Sequence, residues 1–121
     1  MKVKNSDLLR LLKVYSKFVT ATLEEEFFDD GYELAKDAVL IEDALKAYSK
    51  LEEKLKNSID NTEESKRLEM LEKANKELNS ALEKEVEVKE FFKISKDFII
   101  KNKIKLTPME IKAIKDFKII D

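Results

Sequence analysis

The chain of 121 residues contains no cysteine and no histidine, and only one glycine and one proline. Without histidine and cysteine, the protein has no imidazole base, no thiolate nucleophile and no zinc site of the ordinary kind. Catalytic triads that need these residues are excluded, although carboxylates, lysines and tyrosines leave acid–base chemistry and magnesium binding open. We therefore expect a protein that is not an enzyme and that carries neither a cofactor nor a metal ion.

The scarcity of glycine and proline also argues against an all-β fold, which needs more turn residues. No run of 18 apolar residues occurs, so the sequence predicts no transmembrane helix. The lack of cysteine fits an intracellular protein. Because 43% of the residues are hydrophobic, the chain has enough apolar material for one globular core. We predict a single helix-rich domain over residues 1–121.

Apolar side chains recur at helical spacing along three stretches of the sequence. The first helix is expected to be capped by Asn5 or Ser6, to end near residue 20, and to be followed by a turn at Gly31. The second follows Leu34, Ala38, Ile41, Leu45, Tyr48 and Leu55. The third opens at residues 60–62 and follows Leu68, Leu71, Asn75, Leu78 and Leu82. A short connection between two long helices with matching seams predicts an antiparallel hairpin.

A strand interrupts the helical pattern, because Val86 and Val88 alternate with charged residues over positions 85–89. A lone strand leaves backbone groups unpaired, so it needs a partner. Residues 2–4 are the first candidate and residues 117–120 the second. The predicted fold class is mainly α (α+β), with a long helical hairpin, shorter helices and a two- or three-stranded sheet.

Two shorter helices are expected near the end of the chain. Ser95 precedes a short helix around residues 97–102, and a last helix is predicted over residues 108–116. The last helix has the clearest start signal in the sequence. Thr107 occupies the N-cap, Pro108 the first helical position, and Glu110 the position that completes a capping box.

Charge is segregated along the chain although the net charge is only −2. Residues 1–19 hold five basic residues and one acidic residue, and residues 89–121 hold nine basic and five acidic residues. Residues 20–88 hold ten basic and twenty acidic residues. Three interpretations stay open: the basic ends dock on the acidic helices, the acidic part binds a basic protein partner, or the C-terminal lysines bind nucleic acid.

An acidic segment beside two aromatic residues is the candidate contact region for a protein partner. Its spacing does not match a calcium-binding EF-hand, because Phe28 falls where an oxygen ligand is required. Two adjacent aromatics on a helix do not both point easily into one core, so we expect one to be partly exposed. The candidate contact residues are Glu24, Glu25, Glu26, Phe27, Phe28, Asp29 and Asp30.

The chain resembles a family of small phage and prophage proteins of unknown function. The resemblance rests on Met-Lys-Val-Lys-Asn-Ser-Asp-Leu-Leu at residues 1–9, Ala-Lys-Asp-Ala-Val-Leu-Ile-Glu at 35–42, Asn-Lys-Glu-Leu-Asn at 75–79 before Glu-Val-Glu-Val at 85–88, and Leu-Thr-Pro-Met at 106–109. In size and style the short, acidic chain, rich in Lys, Glu and Ile, also resembles anti-CRISPR proteins as a class, including inhibitors of RNA-guided RNA nucleases. The resemblance supplies no catalytic residues and implies a location in the cytoplasm of a bacterial host.

These observations lead to three functional hypotheses. The first is a non-enzymatic, phage-encoded protein that binds a protein partner and inhibits a host defence nuclease through its acidic surface. The second is a phage structural or assembly protein that self-associates through its helical hairpin. The third is nucleic-acid binding, near Phe91 and Phe92, through Lys89, Lys93, Lys96, Lys101, Lys103 and Lys105.

Overall fold

The computed structural model describes residues 1–121 and contains six α-helices and two short strands. In chain order these are β1 (Lys2–Lys4), α1 (Asn5–Thr20), α2 (Phe28–Ala44), α3 (Lys46–Asp60), α4 (Arg67–Leu82), β2 (Glu85–Glu87), α5 (Lys96–Lys101) and α6 (Pro108–Asp116). Single 3-10 turns at Glu25–Phe27 and Glu64–Lys66 lead into α2 and α4. The predicted fold class, mainly α with a small sheet, is confirmed.

The two strands pair antiparallel and join residues from opposite parts of the sequence. Lys2 faces Glu87, Val3 faces Val86, and Lys4 faces Glu85. Opposite charges across the strands favour this register, while Val3 points into the core and is buried. The pairing extends beyond the strands, because the Val88 N–H donates to the Met1 carbonyl at 2.9 Å. Residues 2–4 therefore pair with the predicted strand, which is somewhat shorter than the expected residues 85–89.

The candidate third strand at residues 117–120 does not form. Ile119 accepts one backbone hydrogen bond from the Ile94 N–H, at 2.8 Å, and no ladder continues from it. Ile119 and Ile120 are instead buried in the hydrophobic core. Burial of apolar side chains thus determines the position of the C-terminal segment, and the sheet keeps two strands.

The core lies around α1, which packs against α2 on one side and α6 on the other. An aromatic cluster fills the centre: Phe18 contacts Tyr15 and Phe98 edge-to-face, with ring centroids 5.6 and 6.0 Å apart. Such edge-to-face pairs add stability beyond that gained from burying their apolar surface. The fully buried large side chains of the core include Leu8, Leu11, Tyr15, Phe18, Leu34, Ile41, Phe98, Ile114 and Ile119.

The long second helix expected from residue 34 to residue 55 is broken at Leu45. This residue is buried and has φ −87° and ψ −4°, which ends α2 before α3 begins. The break lets α2 follow α1 while α3 packs against α4. The antiparallel hairpin is therefore built from α3 and α4 and is shorter than the apolar repeat predicts.

The apolar seam predicted for α4 is buried only at its C-terminal end. Leu78 and Leu82 pack against the core, whereas Leu68 is 71% exposed and Leu71 is also exposed. The most buried positions of α4 are Ala74 and Ala81, small residues that allow close helix packing. The outer part of the α3–α4 hairpin consequently presents Leu68 and Leu71 to solvent.

The expected role of Asn5 was wrong, because α1 has no side-chain cap. Asn5 is buried, and its Nδ2 donates to the Ala81 carbonyl at 2.9 Å, while its backbone N–H donates to the Lys84 carbonyl at 3.0 Å. The Ala81 carbonyl lies in the last turn of α4, and the Lys84 carbonyl lies between α4 and β2. Asn5 therefore fastens α1 to the hairpin.

The turn expected at Gly31 was also wrong, because Gly31 lies inside α2. The end of the Leu23 side chain occupies the space that a Cβ at this position would need. Glycine is used here for close packing, since its backbone needs no left-handed conformation.

Candidate partner-binding surface

The acidic segment forms the 3-10 turn before α2 and the first turn of that helix. As expected, its two adjacent aromatics separate: Phe27 is 8% exposed and Phe28 is 59% exposed. Phe27 packs edge-to-face on Phe98, with the ring centroids 5.6 Å apart. Phe27 is therefore a core residue, and its expected role as an exposed contact residue is wrong.

Phe28 is part of a longer apolar stripe on the outer face of α2. Tyr32 is 68% exposed and Val39 is 55% exposed, and Ala35 between them is also exposed. The spacing 28, 32, 35 and 39 places these side chains on one face of the helix. The buried residues Leu34, Ala38 and Ile41 lie on the other face. We name residues Phe28, Tyr32, Ala35 and Val39 the outer stripe.

Sequence reasoning identified Phe28 but missed Tyr32 and Val39. A second apolar repeat, offset from the buried one, runs through α2 in the sequence and could have revealed the outer stripe. The repeat alone does not say which of the two faces is covered, because that depends on α1.

The carboxylates at the N-terminal end of the outer stripe are mostly uncompensated. Glu26 is the exception, since its Oε1 lies 3.4 Å from Lys101 Nζ. Glu24, Glu25, Asp29 and Asp30 have no basic group within ion-pair distance. Partial burial, and then the neighbouring charge of Asp29, raise the pKa of Asp30. The segment therefore presents a concentrated negative charge beside Phe28.

Asn102 holds the acidic segment in place. This buried side chain at the end of α5 accepts a hydrogen bond from the Glu24 N–H at 2.7 Å and donates to the Phe98 carbonyl at 2.6 Å. Because buried amides must be satisfied, these bonds restrict the turn before α2. The carboxylates are thus presented from an ordered backbone.

Asp37 holds the other side of α2 and was not identified from the sequence. Its Oδ2 accepts hydrogen bonds from the Phe92 N–H at 2.8 Å and from the Tyr15 hydroxyl at 3.4 Å. Burial raises the pKa of Asp37, and the two hydrogen bonds lower it by less. Burial, followed by the negative charge of Asp37, also raises the pKa of Tyr15. The two hydrogen bonds join α2 to α1 and to the chain before α5, and they thereby orient α2.

The six lysines of the nucleic-acid hypothesis are exposed, and five of them line three different cavities. Lys101, Lys103 and Lys105 line a cleft together with Lys17, near the end of α1. Lys93 lies at a separate cavity beside Phe91, and Lys96 at a third. Phe91 is buried and Phe92 is half-buried, which leaves little aromatic surface for stacking on bases.

Ion pairs between distant segments support part of the self-docking interpretation. The Met1 amine lies 3.1 Å from Glu87, Lys4 lies 2.8 Å from Glu83, and Lys101 pairs with Glu26. The ion pairs within and at the end of α2 are local instead, from Lys36 to Glu33 and from Lys46 to Asp43. The basic ends thus neutralise the sheet and Glu26, but not the carboxylates that surround Phe28.

No group of three or more acidic side chains is arranged to hold a metal ion. No helix combines the length and the apolar character needed to cross a membrane. Comparison with protein-family models, with curated proteins and with solved structures finds no match.

Proposed function

We propose that the chain is a non-enzymatic binding protein that docks the outer stripe and the adjoining acidic segment on a basic surface of a protein partner. The observation that carries the proposal is the position of exposed Phe28 and Tyr32 beside four carboxylates that lack ion-pair partners. Solvent-exposed aromatics arranged along one helix face are common anchors of protein interfaces.

The two parts of the surface have different physical roles. Burial of the aromatic rings supplies affinity, since aromatic anchors dominate the energetics of many interfaces. The uncompensated carboxylates of Glu24, Glu25, Asp29 and Asp30 supply a negative field that speeds encounter with a basic partner. Because Asn102 and Asp37 hold α2 at both ends of the surface, little ordering is required on binding.

A nuclease of the bacterial host is the partner class that we propose. Nucleic-acid channels are lined with basic residues, and an acidic protein surface can occupy such a channel in place of phosphates. Together with the resemblance to phage proteins, this makes an inhibitor of an RNA-guided defence nuclease the specific form of the proposal.

The experiment measures binding to a panel of purified, guide-loaded bacterial RNA-guided nucleases. The quadruple reversal Glu24→Lys, Glu25→Lys, Asp29→Lys and Asp30→Lys should lower the affinity by tenfold or more, about 1.4 kcal/mol. The control reverses four exposed acids on the hairpin, at Glu53, Glu63, Glu69 and Glu72, which changes the net charge equally.

If the control variant still binds and the first variant does not, the result supports this surface as the binding site. If both variants bind with the same affinity, this surface is not the binding site. No binding to any nuclease of the panel would remove this class of partner.

Self-association through the hairpin is a second candidate, favoured by exposed Leu68 and Leu71. Residues 46–82 hold eight basic and eight acidic residues, so the hairpin is neutral and suits a second copy of itself. Sedimentation should then show a dimer or larger species that Leu68→Glu with Leu71→Glu converts to a monomer. A monomer at all concentrations would remove this candidate.

A further inference from the structure

An apolar groove lies between α5 and α6, away from the acidic segment. Its volume is about 390 Å³, at the small end of the range of about 300–1,000 Å³ common for ligand sites. Seven of its nine lining residues are aliphatic: Ile99, Ile100, Ile104, Leu106, Ile111, Ile114 and Ile120. We name these residues the isoleucine groove.

Both walls of the isoleucine groove are open to solvent. Ile100 on α5 is 69% exposed and Ile111 on α6 is also exposed. Ile114 and Ile120 are buried and form its floor. An aliphatic surface of this kind on an otherwise charged chain marks a contact site for an apolar group.

Two unusual backbone conformations shape the groove. Lys103 and Lys118 have φ of 56° and 57°, in the left-handed region that other residues than glycine adopt at a cost. Each follows the last turn of a helix and reverses the chain. The reversal is closed by the Ile104 N–H donating to the Ile99 carbonyl at 3.0 Å and the Ile119 N–H donating to the Ile114 carbonyl at 2.8 Å.

These reversals bring Ile104 and the last residues of the chain back to α5 and α6. A left-handed residue directly after the last turn is a common way for a helix to end, and here it sets the course of the chain along the groove. Without the two reversals, Ile104 and Ile120 would not reach the isoleucine groove.

The charge at the rim is positive. The other two lining residues are Lys96 and Lys115, and no acidic residue lines the groove. Neither lysine has an ion-pair partner, and nearby Asp116 is paired with Lys112 at 2.6 Å. A partner that buries aliphatic side chains here therefore binds more tightly if it carries carboxylates at the edges of its contact surface.

We infer that the isoleucine groove binds an amphipathic helix of a protein partner, with carboxylates flanking the apolar stripe of that helix. A helix supplies apolar side chains at i, i+3 and i+4, which fits a short groove formed by two helices. The site differs from the proposed nuclease-binding surface in position and in the sign of its charge. The inference thus extends the proposed function without depending on it.

The experiment titrates the isotope-labelled full chain with a synthetic amphipathic helix that carries a leucine stripe flanked by glutamates. The amide signals of Ile100, Ile104 and Ile111 should shift on addition of this peptide. A second peptide with lysine at each glutamate position should bind about three- to tenfold more weakly, since each solvent-exposed charge pair contributes only modestly to affinity.

A charge-exchanged variant tests the rim directly. Lys96→Glu with Lys115→Glu should reverse the preference, so that the lysine peptide binds more tightly. Both residues are exposed and unpaired, so the fold should survive, as circular dichroism would verify. The matched control, Lys50→Glu with Lys54→Glu on α3, should leave the preference for the glutamate peptide unchanged.

Three results would overturn the inference. They are equal binding of both peptides, shifts confined to other parts of the chain, and an unchanged preference in the charge-exchanged variant. Sedimentation of the protein alone adds a fourth. If the protein self-associates and both Ile100→Gln and Phe28→Ser abolish this, the outer stripe of a second copy, flanked by its acidic segment, occupies the groove in place of a separate partner.

Discussion

Asp37 Oδ2 accepts a hydrogen bond from the Phe92 backbone N–H at 2.8 Å, joining α2 to a segment 55 residues further along the chain. The carboxylate is buried and no basic side chain forms an ion pair with it. The bond fixes the rotation of α2 about its axis. That rotation determines which face of α2, and therefore which aromatic residues, remain in solvent.

Asp37→Ala should lower the free energy of unfolding by about 1–3 kcal/mol, because the Phe92 N–H loses its acceptor. Asp37→Asn should cost much less, since its amide oxygen can accept the same bond and no charge is buried. Urea unfolding at neutral pH measures both. Equal losses for the two variants would contradict the role assigned to the hydrogen bond.

The difference in unfolding free energy between the wild type and Asp37→Asn should change with pH in one direction. Burial raises the pKa of Asp37 in the folded state above its unfolded value of about 3.9. The wild-type contribution is then full below the unfolded pKa and is lost as pH rises through the folded pKa. The Asn variant should gain stability relative to wild type as pH rises from about 4, and a flat difference would refute this.

The adjacent aromatics of the acidic segment form a matched pair for mutation. Phe27→Ala should destabilise the fold by about 3–5 kcal/mol, because it removes a core side chain that packs on Phe98. Phe28→Ala should change the stability by no more than about 0.5 kcal/mol. Thermal unfolding separates the two variants, and a large loss for Phe28→Ala would mean that its ring is not free.

Lys103→Gly and Lys118→Gly should each stabilise the protein. Glycine adopts the left-handed backbone without the steric cost that lysine bears, which outweighs its larger entropy in the unfolded chain. We expect a gain of about 0.5–1 kcal/mol for each change. The control Lys54→Gly, inside α3, should instead lose about 1 kcal/mol. If all three changes destabilise the protein, Lys103 and Lys118 do not have the left-handed backbone conformation described above.

The stability that the contact between α6 and α1 contributes should depend on pH. Burial alone would raise the pKa of Glu110, but hydrogen bonds from Lys17 and Thr107 outweigh it and lower the pKa. The Lys17 Nζ lies 2.6 Å from Glu110 Oε1. This contribution is present above the unfolded pKa of about 4.3 and is lost as pH falls through the folded pKa.

Lys17→Ala should therefore raise the pKa of Glu110, as measured by a carboxyl NMR titration. Lys13→Ala, an exposed and unpaired position on the same helix, is the control and should leave that pKa unchanged. If the pKa of Glu110 is the same in Lys17→Ala as in the wild type, the ion pair does not form in solution.

Features that depend on neighbouring residues were predictable from the sequence. The capping box of α6 is present as expected, with the Glu110 N–H donating to Thr107 Oγ1 and the Thr107 N–H donating to Glu110 Oε1. The strand character of residues 85–88 was also predictable from their alternating pattern. The sequence left two possible partners, residues 2–4 and residues 117–120, and the fold pairs the strand with residues 2–4.

Features that depend on distant contacts were not predictable in the same way. The break at Leu45 follows from two packing partners, since α2 lies on α1 and α3 lies on α4. The roles of Asn5 and Asp37 depend on backbone groups more than fifty residues away. No local pattern marks such polar residues as buried.

The sequence by itself determined the mainly helical fold class, the strand near residues 85–88 and the start of the last helix at Pro108, because caps, periodicity and backbone preferences act over a few residues. The tertiary structure decided which apolar face of α2 is buried and which forms the outer stripe, since both faces carry helical repeats and only the packing of α1 distinguishes them. It likewise decided that the aliphatic residues near the end of the chain form an open groove. Coverage by other elements depends on the whole fold, not on any one segment.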